Sequence, residues 1–511
     1  MERFVKRHGD RIIGSIAGFD RVLFRGNLSS ICHLGGFDRF LSSQRILYKD
    51  FGVFVQKVTA QVKAHAEQLA AASGRPLVHL SSPKTSKEDQ ARAIMERDGI
   101  TEGLICVLSC VEPCRTFTVR GNRASKQLEL RAEERQCLHL YFYFVDREFG
   151  LLHVRLQTWL PLTIQVCING REHLARQMEQ SGVSYTQADN CFTKISDWRR
   201  AQQLSDRLVE RKWKPFLDAL ARRVNPWLHQ GSEIVLRPYY WTMRQGEYAT
   251  DILFRDHQAL AAIYPALIDH AIRHFHTADV LRFLGRKHRS ISSGEVKADL
   301  QRRFEGVRIK HWVEENSIKM YDKQGSVLRI ETTINNPKRF RVRRRVASRG
   351  PLKWLPLRKG IADIRRRVEI SRAANERYLE ALAVVGEPTP SYKLLDRVSQ
   401  PVKRQGRQFR ALRPISPEDS KLFEAILHGE FLIQGVRNKD LRQLLYPNHE
   451  NNSAQSRKNS GRITRYLTLL KSHKLIYRVP KTNYYRTTKH GNEVMTTATK
   501  FRETKIALLA A

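Results

Sequence analysis

The last fifth of the chain contains a dense series of helix and turn signals that permits few folds. Ser416 and Pro417 stand where an N-cap and a first helical residue are expected, and acids follow in the first turn. Apolar residues then recur on one face, and Gly429 is placed to end the helix. The pattern predicts a first helix between Ser416 and Gly429.

Two further helices and a hairpin are predicted after this first helix. A short helix fits Asn438–Tyr446, with Pro447 as its stop, and a longer helix fits Ser460–His473. Two strand-like runs follow, Leu475–Val479 and Tyr484–Thr487, and a turn-forming segment separates them. The predicted order is therefore helix, helix, helix, hairpin.

Positive charge is concentrated in this part of the chain. From Asn451 to Asn492 there are ten lysines and arginines and no aspartate or glutamate. On the third predicted helix, Lys458, Arg462 and Arg465 recur at helical spacing on a face distinct from the apolar one. Such a surface favours contact with nucleic acid, and a protein–protein module with a solvated basic surface is the alternative.

The element order and three short sequence segments resemble a winged helix-turn-helix domain of the MarR-like kind. The segments are Arg465-Tyr466-Leu467-Thr468-Leu469-Leu470, Leu475-Ile476-Tyr477-Arg478 and Tyr485-Arg486-Thr487-Thr488. The resemblance implies that the third helix enters the major groove of DNA and that the hairpin, or wing, lies along the backbone. The residues expected to contact nucleic acid on this helix and wing are Arg457, Lys458, Arg462, Arg465, Arg478, Lys481 and Arg486.

The charge of the whole chain also points to a polyanionic partner. The formal net charge is +39 and the pI is about 10.3, while 41% of the residues are hydrophobic, which is enough for packed cores. Nucleic acid, with DNA favoured, is the expected partner, and an acidic membrane surface is the alternative. In the densely basic segment 338–367, Arg343, Arg344 and Arg345 are a second set of expected nucleic-acid contacts.

Signals for secretion, membrane insertion and disulfides are weak. No run of about 18 apolar residues occurs, so no membrane span is expected. The first seven residues lack an apolar signal core, and seven cysteines over 511 residues do not make a disulfide framework. These features favour a reducing cytoplasmic compartment, and the nucleoid within it if DNA is the partner. No feature indicates an oligomeric state.

Strand and helix patterns divide the chain into five predicted regions. Residues 1–194 alternate strands and helices and are expected to form an α/β domain with a mixed sheet. Helical spacing dominates residues 195–300. Basic β-hairpins and a helix are predicted in 301–385, a charged linker with prolines in 386–413, and the winged helix in 414–511.

Polar residues alternate on two adjacent predicted strands of the third region. Lys319 and Tyr321 lie on the first strand, and Arg329 and Glu331 lie on the second. Because side chains alternate between the two faces of a sheet, the four are expected to converge on one face. A cross-strand salt-bridged hairpin with a purely structural role is the simplest interpretation.

The same hairpin also resembles a short motif of the rolling-circle replication initiators of phages and plasmids. The matching segments are Lys319-Met320-Tyr321-Asp322-Lys323 and Leu328-Arg329-Ile330-Glu331, and they cover a very small part of the chain. The resemblance implies that Tyr321 is a nucleophile and that Lys319 or Lys323 stabilises the developing charge. It further implies that Asp322 or Glu331 holds a divalent ion, Mg²⁺ or Mn²⁺.

A second set of acids is scattered over the N-terminal half. Asp20, Glu112 and Asp146 adjoin predicted strands, and Asp251 follows Thr250. Enzymes of nucleic-acid phosphoryl transfer gather two or three carboxylates around metal ions. Acids are also ordinary in the loops of any α/β domain, which is the alternative interpretation.

Three functions are compatible with these patterns. The first is a DNA-processing protein of a mobile element or replicon, such as a replication initiator or a transposase-like nuclease. The second is a non-catalytic winged-helix transcription regulator, and the third is an RNA-binding protein with the strand at Tyr141–Phe144 as a stacking surface. The length of the chain favours the first, whereas the lack of a clear active-site motif favours the second, so enzymatic activity stays an open question.

Overall fold

A computed structural model of the protein describes residues 1–229, 236–286, 296–303, 306–345, 350–386, 390–447 and 453–504. Its strands are β1 (Ile12–Leu28), β2 (Leu77–Leu80), β3 (Gly103–Asn122), β4 (Gln127–Asp146), β5 (Gly150–Gln157), β6 (Ile164–Asn169), β7 (Tyr185–Ala188), β8 (Cys191–Ile195), β9 (Tyr239–Phe254), β10 (Val296–Arg303), β11 (Gly306–Val313), β12 (Asn316–Lys323), β13 (Val327–Thr333), β14 (Arg341–Arg345), β15 (Leu352–Pro356), β16 (Val402–Arg404), β17 (Arg407–Phe409), β18 (Ile476–Arg478) and β19 (Tyr485–Thr487). Its α-helices are α1 (Glu2–Arg7), α2 (Leu34–Ser43), α3 (Phe51–Ala72), α4 (Lys87–Arg97), α5 (Gly170–Gln180), α6 (Trp198–Glu210), α7 (Trp213–Val224), α8 (His257–Ala261), α9 (Tyr264–His274), α10 (Thr277–Phe283), α11 (Ile364–Leu382), α12 (Ser391–Asp396), α13 (Pro417–Ile426), α14 (Gly429–Gln434), α15 (Asn438–Leu445), α16 (Ser453–Ser472) and α17 (Lys489–Glu503).

Eleven of these strands form one mixed sheet, so the protein is a mixed α/β structure. The strand order is β10-β11-β12-β13-β9-β1-β6-β5-β4-β3-β2. Strands β2 and β3 pair in parallel, and the other neighbouring strands of this sheet are antiparallel. The sheet therefore joins segments that the sequence patterns assign to three separate regions.

Strand β9 is what joins these regions, although it lies where helical spacing was expected to dominate. It pairs with β13 on one side and with β1 on the other. From Tyr248 to Phe254 every residue of β9 is buried. A strand covered on both faces does not show the alternation of apolar and polar residues that marks a half-buried strand, and this hides β9 in the sequence.

Helices cover one face of the sheet between β9 and β11. Ile318 and Met320 of β12 and Ile330 of β13 are buried in a core that also contains Ile370 and Tyr378 of α11. Because side chains alternate along a strand, the residues between these apolar ones lie on the opposite face. We call this opposite face, which carries Tyr321, Arg329 and Asp251, the polar face.

The polar face is covered at two separate places. Helices α5 and α6 cover β1 near Ile16, in a core with Leu174 and Leu204. Helix α4 covers β3 and β4, where Ala91 packs in a core with Leu108 and other residues of these strands. Between the two places, the polar-face side chains of β1, β6 and β5 are mostly half-buried. These side chains leave this part of the face accessible to solvent.

The C-terminal helices pack around a core of their own. The side chain of Ser416 caps α13 as predicted, accepting a hydrogen bond from the amide of Asp419, with Pro417 in the first turn. Helix α15 begins at Asn438 as predicted, and the Asn438 side chain donates to the carbonyl oxygen of Ser460 in α16. Strands β18 and β19 form the hairpin, and Val436 pairs with Tyr485 of β19 in an isolated bridge.

Two details of this part of the chain differ from the sequence analysis. Helix α16 begins at Ser453, seven residues before the predicted start, and α14 was not predicted. The segment expected to be a linker contains α12 and the β16–β17 hairpin, and Leu395, Val398 and Leu412 are buried in the C-terminal core. These three apolar residues anchor the segment to the C-terminal unit. Among the described residues, no helix is both long and apolar enough to cross a membrane.

Candidate functional sites

A row of polar side chains crosses the polar face of the sheet. Tyr321 of β12 lies opposite Arg329 of β13, which lies opposite Asp251 of β9. Two residues further along, Lys319 lies opposite Glu331. Direct cross-strand neighbours on one face are close enough for their side chains to interact. The register therefore brings the four hairpin residues together, as the alternation predicts.

Arg329 is the centre of a fully buried ion network. Its Nε and Nη2 donate to the two carboxylate oxygens of Asp251 at 2.6 and 2.9 Å, and its Nη1 donates to Asp20 at 3.1 Å. Its Nη2 also donates to the carbonyl oxygen of Asn190 at 2.8 Å. A second buried arginine, Arg171, places Nη2 2.9 Å from Asp251. Two arginines thus balance two aspartates, as buried charges require.

Asp20 and Asp251 differ in ionisation although they share Arg329. Burial acts to raise the pKa of both carboxyl groups. For Asp251, the charges of Arg171 and Arg329 outweigh burial, and the pKa is lowered from its ordinary value. For Asp20, burial is only partly offset by Arg329, the charge of Glu331 acts against ionisation, and the pKa is raised. Asp251 is therefore the fixed anion of the network, and Asp20 is the carboxyl group that more readily takes up a proton.

A β-bulge in β1 turns Asp20 towards two more carboxylates. The register of β1 against β9 shifts between Phe19 and Val22, so that two residues of β1 lie opposite Glu247. Carboxylate oxygens of Asp20, Glu247 and Glu331 all lie within 4.8 Å of one another. Oxygen ligands at this separation suit a hard divalent ion such as Mg²⁺ or Mn²⁺. These three residues are the ones that could hold a metal in this part of the sheet.

Both oxygens of Glu331 are also engaged by its neighbours in the hairpin. Lys319 Nζ lies 2.7 Å from Oε1, and the Tyr321 hydroxyl donates to Oε2 at 2.9 Å. Burial, and then the charge of Glu331, raises the pKa of Tyr321 well above its ordinary value. A phenol of this kind reacts as a nucleophile only if a base removes its proton. Glu331 is the group placed to act as that base.

Asp322 and Lys323 lie outside this constellation. Asp322 is on the opposite face of β12 from Tyr321, beside Tyr264, whose hydroxyl accepts a hydrogen bond from the Asp322 amide. Asp322 and Glu331 therefore lie on opposite faces of the sheet, and of the two alternative metal ligands predicted from the sequence, Glu331 is the one beside Asp20 and Glu247. Lys323 returns to the polar face, but it is buried and its ammonium group pairs with Asp189.

The scattered acids of the N-terminal half separate into three places. Asp20 and Asp251 meet in the network around Arg329. Glu112 accepts from the hydroxyl of Tyr141 at 2.7 Å and from Arg155 at 2.8 Å. Asp146 accepts from two backbone amides in the turn between β4 and β5. Two of the four acids therefore belong to the candidate site, and the other two have separate local partners.

Three residues of the site are not anticipated from the sequence: Glu247, Arg171 and Asn190. Glu247 precedes the predicted candidate Asp251 by four residues, a spacing that places both on one face of a strand, but the sequence pattern does not identify β9 as a strand. Arg171 is the second residue of α5, and Asn190 lies in the turn between β7 and β8. Neither position carries a local signal, because both side chains reach the network only through the packing of distant elements.

The second candidate site is the solvent-facing side of α16. Ile463, Leu467 and Leu470 are buried in the C-terminal core. Four cations on the opposite side are exposed, and together they are called the basic helix face: Arg457, Lys458, Arg462 and Arg465. The arrangement is that of an amphipathic helix whose polar side carries only positive charge.

The hairpin beside α16 also presents cations. Lys481 and Arg486 are exposed. Arg478 is held within the hairpin, since its Nε donates to the carbonyl oxygen of Thr482 at 2.7 Å and its Nη2 to Asn483 at 2.7 Å. Within the described ranges, neither Lys481 nor Arg486 has such a hydrogen bond, so two of the three predicted hairpin contacts lie unrestrained at the surface.

The predicted basic triplet at 343–345 is divided between the interior and the surface. Arg343 is buried, and its Nη2 donates to Asp440 of α15 at 2.8 Å. Its guanidinium carbon lies 3.9 Å from the ring centroid of Tyr484. Arg344 forms an ion pair, and Arg345 is exposed. Arg343 therefore joins the C-terminal unit to the β14–β15 hairpin.

Comparison of the chain with protein-family models, with curated proteins and with solved structures finds no match.

Proposed function

We propose that the protein binds duplex DNA through its C-terminal unit, with the basic helix face in the major groove and the β18–β19 hairpin along the backbone. The observation that carries this proposal is the exposed, purely cationic side of α16. The Val436–Tyr485 bridge supports it, because it fixes the β18–β19 hairpin to the segment just before α15 and so beside the helices.

The electrostatics of the basic helix face favour a phosphate partner. Among the described residues, no carboxylate forms an ion pair with Arg457, Lys458 or Arg465. Cations without a carboxylate partner are free to neutralise phosphates and release condensed counterions. Arg462 and Arg465 are also positioned one helical turn apart, where both can reach into one groove.

The test is duplex binding by matched variants of the full chain. The first double variant combines Arg462→Ala and Arg465→Ala. The control double variant combines Arg199→Ala and Arg207→Ala, which removes two exposed arginines from α6. We expect the first pair to weaken binding by about 1–3 kcal/mol for each arginine that reads a base, and the second pair to change little. Equal affinities in the two variants, measured by fluorescence anisotropy at fixed salt, would refute the assignment.

A second candidate function is metal-dependent processing of DNA at Asp20, Glu247 and Glu331. The proximity of these three carboxylates on the polar face of a strongly basic chain favours it. Carboxylates so placed can hold a divalent ion that polarises a phosphodiester and generates a nucleophile. Tyr321 would then pass its phenolic proton to Glu331 and attack the phosphorus, and the P–O bond to one sugar would break, leaving a phosphotyrosyl adduct and a strand that ends in a hydroxyl. If a water molecule attacked instead, the same bond would break and no adduct would remain.

Labelled single-stranded and duplex DNA, incubated with the protein and Mg²⁺ or Mn²⁺, tests this second function. Cleavage that disappears in Glu247→Gln but survives in Glu134→Gln, an exposed control on β4, is the expected result. A covalent adduct lost in Tyr321→Phe would assign the nucleophile. Binding without cleavage would leave the regulator function, and preference for RNA over DNA of the same sequence would favour the RNA-binding alternative.

A further inference from the structure

The open part of the polar face carries a group of arginines that neither proposed site uses. Arg25 of β1 and Arg155 of β5 both lie opposite Gln165 of the intervening strand β6, so they share one face. Two strand spacings separate their backbones, which is about 10 Å. Arg244 is an extra residue of β9 where the register against β1 shifts, between Met243 and Gln245. The fold thus places three arginines from three strands within a short distance.

These arginines have few counter-charges. Burial, and then the charges of Arg244, Arg155 and Arg115, lowers the pKa of Arg25. In the described part of the chain, Glu112 is the only carboxylate that forms an ion pair with Arg25, Arg115, Arg155 or Arg244, and its partner is Arg155. Like charges held together in this way repel one another, and the repulsion is relieved by an anionic ligand.

Two of the guanidinium groups are also incompletely hydrogen-bonded. The Nε atoms of Arg25 and Arg155 are inaccessible to solvent and lack a hydrogen-bond partner among the described residues. Buried donors without partners are costly, so the protein does not fully satisfy these two guanidinium groups, and an added acceptor would contact them through their Nη atoms. Phosphate oxygens are suitable acceptors, because a guanidinium matches their geometry with two donors.

An exposed aromatic ring stands beside the arginines. Tyr240 of β9 lies opposite Asn27, two residues from the pairing of Thr242 with Arg25, so its side chain is on the same face. Tyr240 is 57% exposed, the largest exposed fraction among the exposed tyrosines. A flat ring at the edge of a cationic groove is the arrangement on which unpaired bases stack.

We propose that Arg25, Arg155, Arg244 and Tyr240 form a second nucleic-acid site that takes a single strand, with the arginines on phosphates and Tyr240 under a base. A single strand fits better than a duplex, because Arg25 and Arg155 are half-buried on the face of the sheet, where a single nucleic-acid backbone can reach them. Bases of a duplex are also stacked on one another and are not free to stack on Tyr240. The site is independent of the C-terminal unit and would hold a strand on the same face as the carboxylates.

The decisive experiment compares single-stranded and duplex binding in full-length variants. The probes are a fluorescent oligo-dT of about 20 nucleotides and a duplex of the same length, at several salt concentrations. In Arg25→Ala with Arg244→Ala, we expect roughly tenfold weaker binding of the single strand and a salt slope smaller by about 0.7 for each lost phosphate contact. Duplex affinity is expected to stay within about twofold, and the Arg199→Ala with Arg207→Ala control is expected to match the wild type on both probes.

Tyr240 supplies a test that does not change charge. Tyr240→Ala is expected to weaken single-strand binding about fivefold or more, while Tyr240→Phe keeps the ring and the affinity.

Arg244→Glu, at an exposed position, serves as a further variant if Arg25→Ala disturbs folding as judged by the melting temperature. Unchanged single-strand affinity in the arginine variants, or an equal loss on duplex, would overturn the proposal. The double variant of Arg462→Ala and Arg465→Ala tests the C-terminal assignment separately, because it is expected to weaken duplex binding and to leave single-strand binding unchanged.

Discussion

Arg329 in the sheet and Arg465 on α16 belong to the same strongly basic chain, but their surroundings have little in common. Arg329 is fully buried and meets Asp251, Asp20 and a backbone carbonyl group. Arg465 is exposed on a helix side that carries cations only. The first arginine is held by partners that the fold supplies, whereas the second is available to a partner from outside.

This difference shows where the charge of +39 resides. In the network, Arg171 and Arg329 are balanced by Asp20 and Asp251, because desolvated charges are tolerated only in compensated groups. A balanced interior contributes nothing to the excess, so the excess lies at surfaces such as the basic helix face. Full burial, and not the residue type, therefore separates the structural arginines of this network from the candidate binding arginines.

Removing Arg329 should have the largest effect on stability. Arg329→Met leaves Asp20 buried without its main counter-charge and Asp251 with Arg171 alone, and breaking a buried pair in this way costs about 3–5 kcal/mol. Arg465→Met on the exposed helix should change stability by less than about 0.5 kcal/mol. Urea unfolding of the two variants measures the contrast, and similar losses in both would break the distinction between the two regions.

The two aspartates of the network should respond differently to neutralisation. Asp251→Asn removes an anion whose pKa is lowered in the fold, and we expect a loss of about 2–4 kcal/mol at neutral pH. Asp20→Asn removes a carboxyl group whose ionised form the fold disfavours, so the loss should be much smaller. Unfolding at pH 7 decides this, and a larger loss for Asp20→Asn would contradict the assignment of the fixed anion.

Acid should weaken the sheet through histidines that are buried in neutral form. Burial lowers the pKa of His139 and of His311 to about 4. A lowered histidine pKa means that the unfolded chain binds more protons than the folded chain between about pH 6.5 and pH 4, so stability falls as the pH falls through this window. We expect a loss of about 1–2 kcal/mol per histidine between pH 7 and pH 5.

A variant separates this effect from a general effect of acid. His311→Phe removes the titrating ring at the cost of its contact with the hydroxyl of Tyr378. The variant should be less stable than the wild type at pH 7 but should lose less on acidification. Parallel stability curves for the two proteins across this pH range would rule out the role of His311.

Tyr321→Phe should have the smallest effect if the hairpin is structural. The change removes one hydrogen bond to Glu331, which is worth about 0.5–1.5 kcal/mol, and leaves the pairing of Glu331 with Lys319 in place. The melting temperature and the cleavage assay are measured on the same preparation. Wild-type cleavage in this variant would exclude Tyr321 as the nucleophile, and loss of cleavage with a near-normal melting temperature would support it.

Local signals were the most reliable part of the sequence analysis. The cap at Ser416 and the start of α15 at Asn438 are where the sequence predicts them. A cap of the same kind is present before α4, where the side chain of Ser86 accepts from the amide of Asp89. Such features depend on a few neighbouring residues, and the physical preferences involved act within one helical turn.

Features that depend on distant residues were not predictable in the same way. The bulge that turns Asp20 towards Glu247 exists only where β1 pairs with β9, and these strands are more than 200 residues apart. The predicted linker became part of the C-terminal core because Leu395, Val398 and Leu412 found apolar partners there. Neither outcome is marked by the composition of the segment itself.

The sequence by itself determined the basic character of the chain, the amphipathic helices of the C-terminal unit and the alternation that places Tyr321 and Glu331 on one face. Charge, helix caps and side-chain alternation are local properties, so they can be read without knowing which strands are neighbours. Only the tertiary structure decided that Arg171, Arg329, Asp20 and Asp251 compensate one another, because a buried charge is stable only where other segments bring its partner within contact.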